Sequence, residues 1–526
     1  MYTMEQFSPG MVEEVTSLFT PIIPEVVPQD ARIEVHASIS RFAFLYERIR
    51  NAVDYKDEHI LRKSAIIRIL KRHMVLESDP LAIAKLLIRE LIAARYLPNG
   101  ELDEKVYTMV GALVEKYLVI RKCDVGSSVH YEWLEGILAV EIEEALVDPY
   151  QEKALVSFLY ERIAKSIHIK GYEIPDAELR LQIYVACYRL LHKADNDILG
   201  FKLARAYAPE WLQQQEWLQQ PQAMAERLIG VETRIRIALI HPLALRLQRT
   251  VKPWAVSLLI LRDVAHEPKI RFAELLLEPD KVHMLVTRIA DRKYAEVKGR
   301  VRRGAFRATL YLFLTKMILA LSIEAPVELY YWKEIYYPSL AINLFFPPSL
   351  MFLISLFISI PGKNNTDIIQ KNISALLSDE GIPNREIRYP AKKSFLGRMA
   401  FGIGYALMFL FSFGTLYFVL VQLHFTWVSK MIFYFFLCLV SFFAFRLRHG
   451  AQEYVIVNAK PKLTNMFIDF ISLPILRSGQ ILSKTVSRLN VFLFLFDFII
   501  EAPYKIFLRV LEEWFGFMKE KKDELQ

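Results

Sequence analysis

The sequence predicts an all-α protein with unlike halves: a cytosolic multi-helix N-terminal domain, solenoid- or bundle-like, then a polytopic α-helical membrane domain and an amphipathic C-terminal helix region. Hydrophobic residues make up 53% of the 526 residues although 24% are still charged, an average typical of two dissimilar parts. Helical periodicity runs from about residue 31 to residue 291, with almost no strand signals. The run from Ala400 to Leu423 carries no charge and is long enough to cross a bilayer core of about 30 Å.

The N-terminal part is predicted to be a loosely ordered arm followed by a helical domain. Residues 1–30 contain four scattered prolines and little periodicity, and the helical domain occupies residues 31–295. Asp79-Pro80 predicts a helix start, and Asp148-Pro149-Tyr150-Gln151 predicts another with capping-box spacing. Two tryptophans are predicted to pack in the core rather than to form a dock for a membrane or a partner: Trp211 and Trp217.

The membrane domain is predicted at residues 296–450, with four transmembrane helices. These are residues 308–323, 337–361, 399–423 and 425–445. The second contains Pro347-Pro348 and is therefore expected to be kinked or discontinuous. The third contains two pairs of small residues at a spacing that favours close helix packing: Ala400 with Gly404, and Gly402 with Ala406.

Basic and non-basic loops alternate along this half, which predicts the topology. Five basic residues between 298 and 307 precede the first span, and seven between 363 and 398 separate the second and third spans. Basic loops stay on the cytoplasmic side of a membrane. The chain is therefore expected to be a multi-pass membrane protein with its N-terminal domain and C-terminus in the cytoplasm. The basic flanks are expected to attract anionic lipid headgroups.

The C-terminal region, residues 451–526, is predicted to be interfacial. Four charged residues recur there at i, i+4 spacing and form one stripe on an otherwise apolar helix: Asp497, Glu501, Lys505 and Arg509. Such a helix lies in the interface with the stripe facing water, or turns the stripe toward protein. Whether residues 489–511 lie flat, re-enter or cross the membrane stays open at this point.

Four ionisable groups in or beside apolar segments are candidate functional residues: Lys316, Glu324, Asp497 and Glu501. A charge buried in a membrane is costly unless it is paired. In a transporter, Lys316 and one carboxylate would form a gated pair near the membrane midplane. Because intramembrane charges are so few, the favoured interpretation is instead that Lys316 extends its ammonium toward the interface and the acids lie at interfaces.

Known catalytic and cofactor motifs are not found, so no cofactor or metal is expected. The cysteines Cys123, Cys187 and Cys438 are too dispersed for a disulfide framework or a zinc knuckle. Nucleic acid is not expected as a partner, although the net charge is +8, because many basic residues flank apolar spans. His192 and Asp197 have the H-x4-D spacing of some acyltransferases, in which the histidine deprotonates a hydroxyl, but a solvated turn is the favoured interpretation.

Three functions are consistent with this organisation. The favoured one is non-enzymatic: an integral membrane scaffold or assembly protein that binds partner proteins through its cytosolic helical domain. The first alternative is a channel or transporter that uses the kinked span at Pro347-Pro348 and Lys316. The second is a membrane-surface enzyme on lipid or envelope precursors, which would require His192 and Asp197 to meet in a polar pocket.

Overall fold

The structure is a computed structural model, and it describes most of the chain between residues 57 and 456. The described residues are 9–19, 28, 32–35, 44, 47, 57–123, 126–213, 217–267, 272–333, 336–356, 358, 361–379, 381–390, 394–456, 470, 472–482, 510, 514 and 518. Almost all of them are helical, so the predicted all-α fold is confirmed. The charged stripe at Asp497, Glu501, Lys505 and Arg509 lies outside the described residues.

The chain divides into two compact units. The first, here called the helical unit, contains the described parts of residues 7–259, 375–390 and 496–526. Its helices are α1 (Pro9–Phe19), α2 (Glu58–Leu76), α3 (Pro80–Ala93), α4 (Lys105–Lys122), α5 (Ser128–Leu146), α6 (Tyr150–Ala164), α7 (Asp176–Leu191), α8 (Asn196–Tyr207), α9 (Pro221–Leu239) and most of α10 (Ala244–Ala265). A short 3₁₀ turn, Pro209–Leu212, follows α8.

Local sequence signals set several helix starts in this unit. The carboxylate of Asp79 accepts hydrogen bonds from the backbone N–H groups of Leu81 and Ala82, and Pro80 takes the first helical position, as predicted. The predicted capping box at the start of α6 is wrong. Pro149 precedes that helix without any side-chain cap, and the carboxylate of Asp148 lies 2.8 Å from the Lys153 ammonium instead. The Asp148 carboxylate therefore pairs with a lysine and does not cap α6.

The two tryptophans lie in the core of the helical unit, as predicted. The side chains of Trp211 and Trp217 are 1% and 5% exposed, and their rings stack with centroids 5.2 Å apart. The buried ammonium of Lys116 lies 4.3 Å from the Trp211 ring centroid and 2.5 Å from a carboxylate oxygen of Glu141. The same region therefore contains both an aromatic stack and a buried ion pair.

Two short strands form a parallel pair within the helical unit. Strand β1 (Ile167–Lys170) pairs with β2 (Arg385–Arg388), and Ile167 lies opposite Arg385. Parallel strands need a long crossover, and this one contains more than 200 residues, including two of the apolar helices. The Arg162 guanidinium adds a second link, because it donates to the backbone carbonyl of Ser378 at 2.6 Å. Residues 375–390, which lie between the second and third predicted spans, thus belong to the helical unit.

The second unit, here called the span unit, contains the described parts of residues 260–374 and 391–495. Its helices are the end of α10, α11 (Phe272–Leu276), α12 (Pro279–Leu319), a π-helical turn (Ala320–Glu324), α13 (Ala325–Trp332), α14 (Tyr337–Leu356), most of α15 (Lys363–Leu377), α16 (Phe395–Gln422) and α17 (Trp427–Ala451). Residues 472–482 are also helical.

Four helices of the span unit are long and apolar enough to cross a membrane, which indicates a membrane protein. They are Pro279–Tyr331, Tyr337–Leu356, Phe395–Gln422 and Trp427–Ala451. The first is far longer than the apolar run predicted at 308–323, because helix formation continues through the basic segment that precedes it. Pro347 and Pro348 lie inside α14 and are both buried.

Apolar side chains hold α12, α14 and α17 together. One buried cluster comprises Leu312, Met351, Phe436, Val440 and Ala444. The helix at residues 472–482 packs on α17 at another point, where a Cβ atom at Gly479 would overlap the backbone carbonyl of Cys438. Only glycine permits so close an approach of the two helices.

Candidate functional site

A group of buried polar side chains lies among the apolar helices of the span unit. This group, here called the polar cluster, comprises Lys316, Glu324, Glu328, Asn343, Thr426 and Ser429. All of them except the half-buried Thr426 are at most 1% exposed. They come from five consecutive or neighbouring elements: α12, the π turn, α13, α14 and the start of α17.

The centre of the polar cluster is an ion pair. The Lys316 ammonium lies 3.4 Å from Glu324 Oε2, and both side chains are 0% exposed. The ammonium also lies 5.1 Å from the centroid of the Phe436 ring, within the range of a cation–π contact. The favoured interpretation from sequence, that Lys316 extends toward an interface, is therefore wrong. The geometry is that of the alternative, in which Lys316 pairs with a carboxylate.

The depth of Lys316 follows from its place on α12. Lys316 lies eight residues after Ala308, where the apolar run begins, and a helix rises about 1.5 Å per residue. The Cα of Lys316 is thus about 12 Å along the run, compared with about 30 Å for a whole bilayer core. Lys316 thus lies within the apolar run, whereas Glu324 directly follows its last residue, Ile323.

Glu324 is held by three side chains. Its Oε1 atom accepts a hydrogen bond from Asn343 Nδ2, and Ser429 Oγ lies 2.5 Å away from the same oxygen. Asn343 Nδ2 also donates to the backbone carbonyl of Ser429 at 3.2 Å, which fixes the amide between α14 and α17. With Lys316 on Oε2, both oxygens of Glu324 are occupied.

Within the described chain, hydrogen bonds reach one oxygen of Glu328. Its Oε1 atom lies 2.8 Å from Ser429 Oγ and 3.1 Å from Thr426 Oγ1. Among the residues that the structure describes, no group bonds to Glu328 Oε2 or to Asn343 Oδ1, although both atoms are buried. Two acceptor oxygens without donors in an apolar interior are costly, at roughly 1–3 kcal/mol each.

An irregular turn of the backbone positions Glu324 in the polar cluster. In the π turn the N–H of Ala325 bonds to the carbonyl of Ala320, an i to i−5 bond, and Pro326 follows at the start of α13. Proline has no N–H and its ring collides with the carbonyl four residues earlier, so one extra residue in the turn relieves the conflict. Single π turns are frequent at functional sites. Glu324 is the last residue of this turn.

At the start of α17, Thr426 is the N-cap residue and its hydroxyl accepts from the Ser429 N–H at 3.2 Å. The same hydroxyl is therefore free to donate its hydrogen to Glu328. A chain of polar groups runs from this turn through Glu328, Ser429 and Glu324 to Lys316. Beyond Lys316 lies the buried apolar cluster around Leu312 and Val440.

The other predicted site residues do not join the polar cluster. Ala400, Gly402, Gly404 and Ala406 lie on α16 and are exposed, and nothing in the described chain comes within 4 Å of a Cβ placed at Gly402 or Gly404. Their predicted helix packing therefore does not occur within the described chain. Asp497, Glu501, Lys505 and Arg509 are outside the described residues.

The described contacts of His192 and Asp197 are with other residues. Asp197 Oδ2 lies 2.5 Å from the Lys63 ammonium, and the ring of His192 stacks on that of His59 at a centroid distance of 4.3 Å. Burial lowers the pKa of His192, and the nearby charge of Lys202 lowers it further. A cleft of about 750 Å³ in the helical unit is lined by Arg62, Tyr96 and their neighbours, not by either residue.

Comparison of this chain with family models, with curated proteins and with solved structures finds no match. In the described part of the chain, no three His, Cys, Asp or Glu side chains are grouped closely enough to hold a metal ion. The site must therefore be interpreted from its own geometry.

Sequence reasoning identified Lys316 and Glu324 but missed Glu328, Asn343, Thr426 and Ser429. Glu328 lies in a tyrosine-rich stretch, a composition typical of a membrane interface, so its burial in the bundle carries no sequence signal. Asn343 offered a usable signal, since an amide in a charge-free span needs a hydrogen-bond partner inside the bundle. Thr426 and Ser429 gave a weaker one, because hydroxyl side chains near a helix start are ordinary caps.

Proposed function

We propose that the span unit is a channel or transporter that moves a small ion or polar solute across a membrane, with the polar cluster as its working site. The observation that carries this proposal is the fully buried pair of Lys316 and Glu324 inside the apolar spans. Ionisable side chains in the interior of membrane bundles mark ion paths and proton relays.

A purely structural role explains the pair less well. Apolar side chains of similar volume pack as stably as a buried ion pair, or more stably, so stability alone gives no reason for one. α12, α14 and α17 already share an apolar core around Leu312, Met351 and Phe436. The charges add desolvation cost to helices that would associate without them.

The arrangement of the polar groups also suits transport. They form an unbroken series from the turn at Thr426 to Lys316, and an apolar cluster that includes Val440 and Ala444 lies beyond Lys316. A path that is polar on one side and closed by apolar contacts on the other is what a gate in its closed state requires. Pro347 and Pro348 lie inside α14, beside this gate. Because proline has no N–H, they interrupt the backbone hydrogen bonds of α14.

Proton flux in liposomes tests the proposal. The purified full chain is reconstituted with a pH-sensitive dye inside, and a potassium gradient with valinomycin sets the membrane potential. We expect potential-driven acidification with the wild-type chain and its loss in Lys316→Met. The matched control is Lys430→Met, because Lys430 is half-buried and its ammonium lies 4.9 Å from the centroid of the Tyr417 ring. Equal flux in Lys316→Met, or none in any sample, refutes the proposal for protons as the moving or coupled ion.

The proposal includes a topology. The helical unit and the chain ends are cytoplasmic, and the turn at His424 and Phe425 lies on the opposite side, because basic residues dominate the segments before α12 and between α14 and α16. The same basic segments contact anionic headgroups. A cysteine introduced at His424 should react with an impermeant reagent added outside intact cells, whereas one at Lys170 should not. The reverse labelling pattern contradicts this topology.

A scaffold role for the helical unit is the second candidate, favoured by an exposed apolar patch. Three side chains around the turn between α9 and α10 are 61%, 76% and 68% exposed: Ile237, Ile240 and Leu245. Exposed apolar patches often mark interaction sites. Partner proteins that copurify with the full chain in mild detergent should be lost in Ile240→Glu and kept in Val75→Glu, since Val75 is equally exposed but lies elsewhere on α2. An unchanged set in both variants removes this candidate.

A further inference from the structure

We infer that the polar cluster is a proton-binding site in which the carboxyl group of Glu328 holds one proton. This inference deepens the transport proposal, on which its functional meaning rests, by naming the coupling ion and the residue that holds it. It stands on three features of the polar cluster: the hydrogens available, the charges present and the unequal surroundings of the two acids.

The first feature is the hydrogen count at Ser429. Its Oγ atom lies 2.5 Å from Glu324 Oε1 and 2.8 Å from Glu328 Oε1, and both are hydrogen-bond distances. A serine hydroxyl has one hydrogen and donates one bond, whereas two ionised carboxylates have no hydrogen to share. Both contacts become separate two-centre hydrogen bonds if one carboxyl group is protonated and donates to Ser429 Oγ.

The second feature is the charge balance. The polar cluster contains one ammonium, Lys316, and two carboxyl groups, Glu324 and Glu328, all at most 1% exposed. With both acids ionised it would carry one uncompensated negative charge in an apolar interior, and such a charge costs several kcal/mol. One bound proton makes the cluster neutral.

Three other charged or titratable side chains lie on the surrounding elements, and none of them has a described contact with Glu324 or Glu328. Lys430 lies over the Tyr417 ring at 4.9 Å. His424 lies beside the Tyr336 ring at 5.5 Å between centroids. Lys333, at the end of α13, is exposed. In the described chain Lys316 is thus the cation available to the pair.

The third feature assigns the proton to Glu328. Glu324 meets donors on both oxygens: Lys316 on one, and Asn343 with Ser429 on the other, which suits an anion. Glu328 meets hydroxyls on Oε1 only, and its Oε2 has no partner in the described chain. The carbonyl oxygen of a neutral acid tolerates that isolation far better than half of a carboxylate does.

A consistent set of hydrogen bonds follows. The protonated Glu328 donates to Ser429 Oγ, and Ser429 donates to Glu324, which pairs with the Lys316 ammonium. Thr426 donates to Glu328 from the other side. A proton that leaves Glu328 toward Thr426, or reaches it from there, changes the charge of the cluster by one. Proton binding is thereby linked to the strength of the central ion pair.

Infrared spectroscopy of the full chain in lipid nanodiscs tests the assignment without any measurement of transport. At neutral pH in sodium-free buffer, the wild-type spectrum should contain the carbonyl stretch of a buried carboxylic acid, with a small shift in D2O. The band should vanish in Glu328→Gln and persist in Lys430→Met, which leaves the charges of the polar cluster unchanged. Its absence from the wild type, or its persistence in Glu328→Gln, overturns the inference. A carboxylate band that responds to sodium instead overturns it in favour of a bound cation.

Thermal unfolding of Glu328→Gln and Glu324→Gln tests whether a lost infrared band results from misfolding of the variant. Gln is neutral and close in shape to a protonated Glu, so Glu328→Gln should unfold near the wild-type temperature, whereas Glu324→Gln leaves Lys316 unpaired and should unfold earlier. The reverse order places the proton on Glu324 and overturns the assignment. A carboxylic acid band without proton flux in liposomes refutes transport alone, and flux without the band refutes the bound proton alone.

Discussion

Replacement of Lys316 by methionine isolates the energetic role of the ion pair. Methionine keeps an unbranched apolar stem in the same space but removes the ammonium. Glu324 then keeps only its neutral donors, Asn343 and Ser429, while its side chain remains 0% exposed. Removing one partner of a buried pair destabilises a protein by about 3–5 kcal/mol, because the other charge stays buried without compensation.

The loss is measured as the unfolding temperature of the purified chain in detergent. Domains of about 150–250 residues lose roughly 2–4 °C per kcal/mol, so Lys316→Met should lower the transition of the span unit by about 6–20 °C. Lys430→Met is the control and should stay within about 0.5 kcal/mol of the wild type, because Lys430 lies partly exposed over a tyrosine ring.

A double-mutant cycle separates the pair from general damage to the core. Glu324→Gln alone leaves the ammonium unpaired and should also destabilise, whereas the double variant has no charge to isolate and should recover most of the loss. Two results would refute this reasoning. One is an unfolding temperature of Lys316→Met equal to that of the control. The other is additivity of the two single losses, since groups that interact directly cannot be additive.

Three further predictions concern other parts of the chain. Gly479→Ala should cost about 1–3 kcal/mol by forcing α17 and residues 472–482 apart, whereas Gly404→Ala should cause no loss, because no atom of the described chain lies within 4 Å of a Cβ placed there; equal unfolding temperatures would contradict this. Lys116→Met should cost about 3–5 kcal/mol in urea denaturation, because its buried glutamate partner is left unpaired. Burial, with the stacked His192 as the next cause, lowers the pKa of His59 from 6.5 to about 4. Unfolding therefore takes up a proton between those values, so the unfolding temperature should fall as pH falls from about 6.5 toward 4. That fall should be smaller in His59→Phe, and an equal fall would exclude this histidine as a cause.

Much of the fold was predictable because it follows from local and periodic signals. The apolar helices are set by composition over about 20 residues, and the cap at Asp79-Pro80 is set by two adjacent residues. The burial of Trp211 and Trp217 follows from their size. Where prediction failed, a tertiary contact had prevailed over the local signal: Asp148 pairs with Lys153 instead of capping α6. The parallel pairing of β1 and β2 is a contact between distant segments, and the sequence of neither strand indicates which segment it pairs with.

The polar cluster was only half predictable for a related reason. Charge in an apolar run is visible in a sequence, so Lys316 and Glu324 stood out. Their pairing depends on a π turn whose cause, Pro326, lies two residues beyond Glu324. The remaining members come from α13, α14 and α17, and their convergence depends on helix packing. Whether the Lys316 ammonium reaches the interface or pairs inside the bundle thus depends on tertiary packing, which local sequence does not reveal.

The two proposals for the span unit strengthen each other because they use different facts. Transport rests on where the charges are: inside the spans, where apolar residues would pack with less cost. The bound proton rests on how many hydrogens and charges the polar cluster contains, a count that holds even for a static site. If the proton is present, Lys316 and Glu324 form a neutral pair beside a neutral acid. Loss of that proton then leaves two carboxylates to compete for one ammonium. A change of one proton at Glu328 would alter the contact that ties α12 to α14 and α17, and a membrane protein needs such a coupling if proton binding is to open a gate.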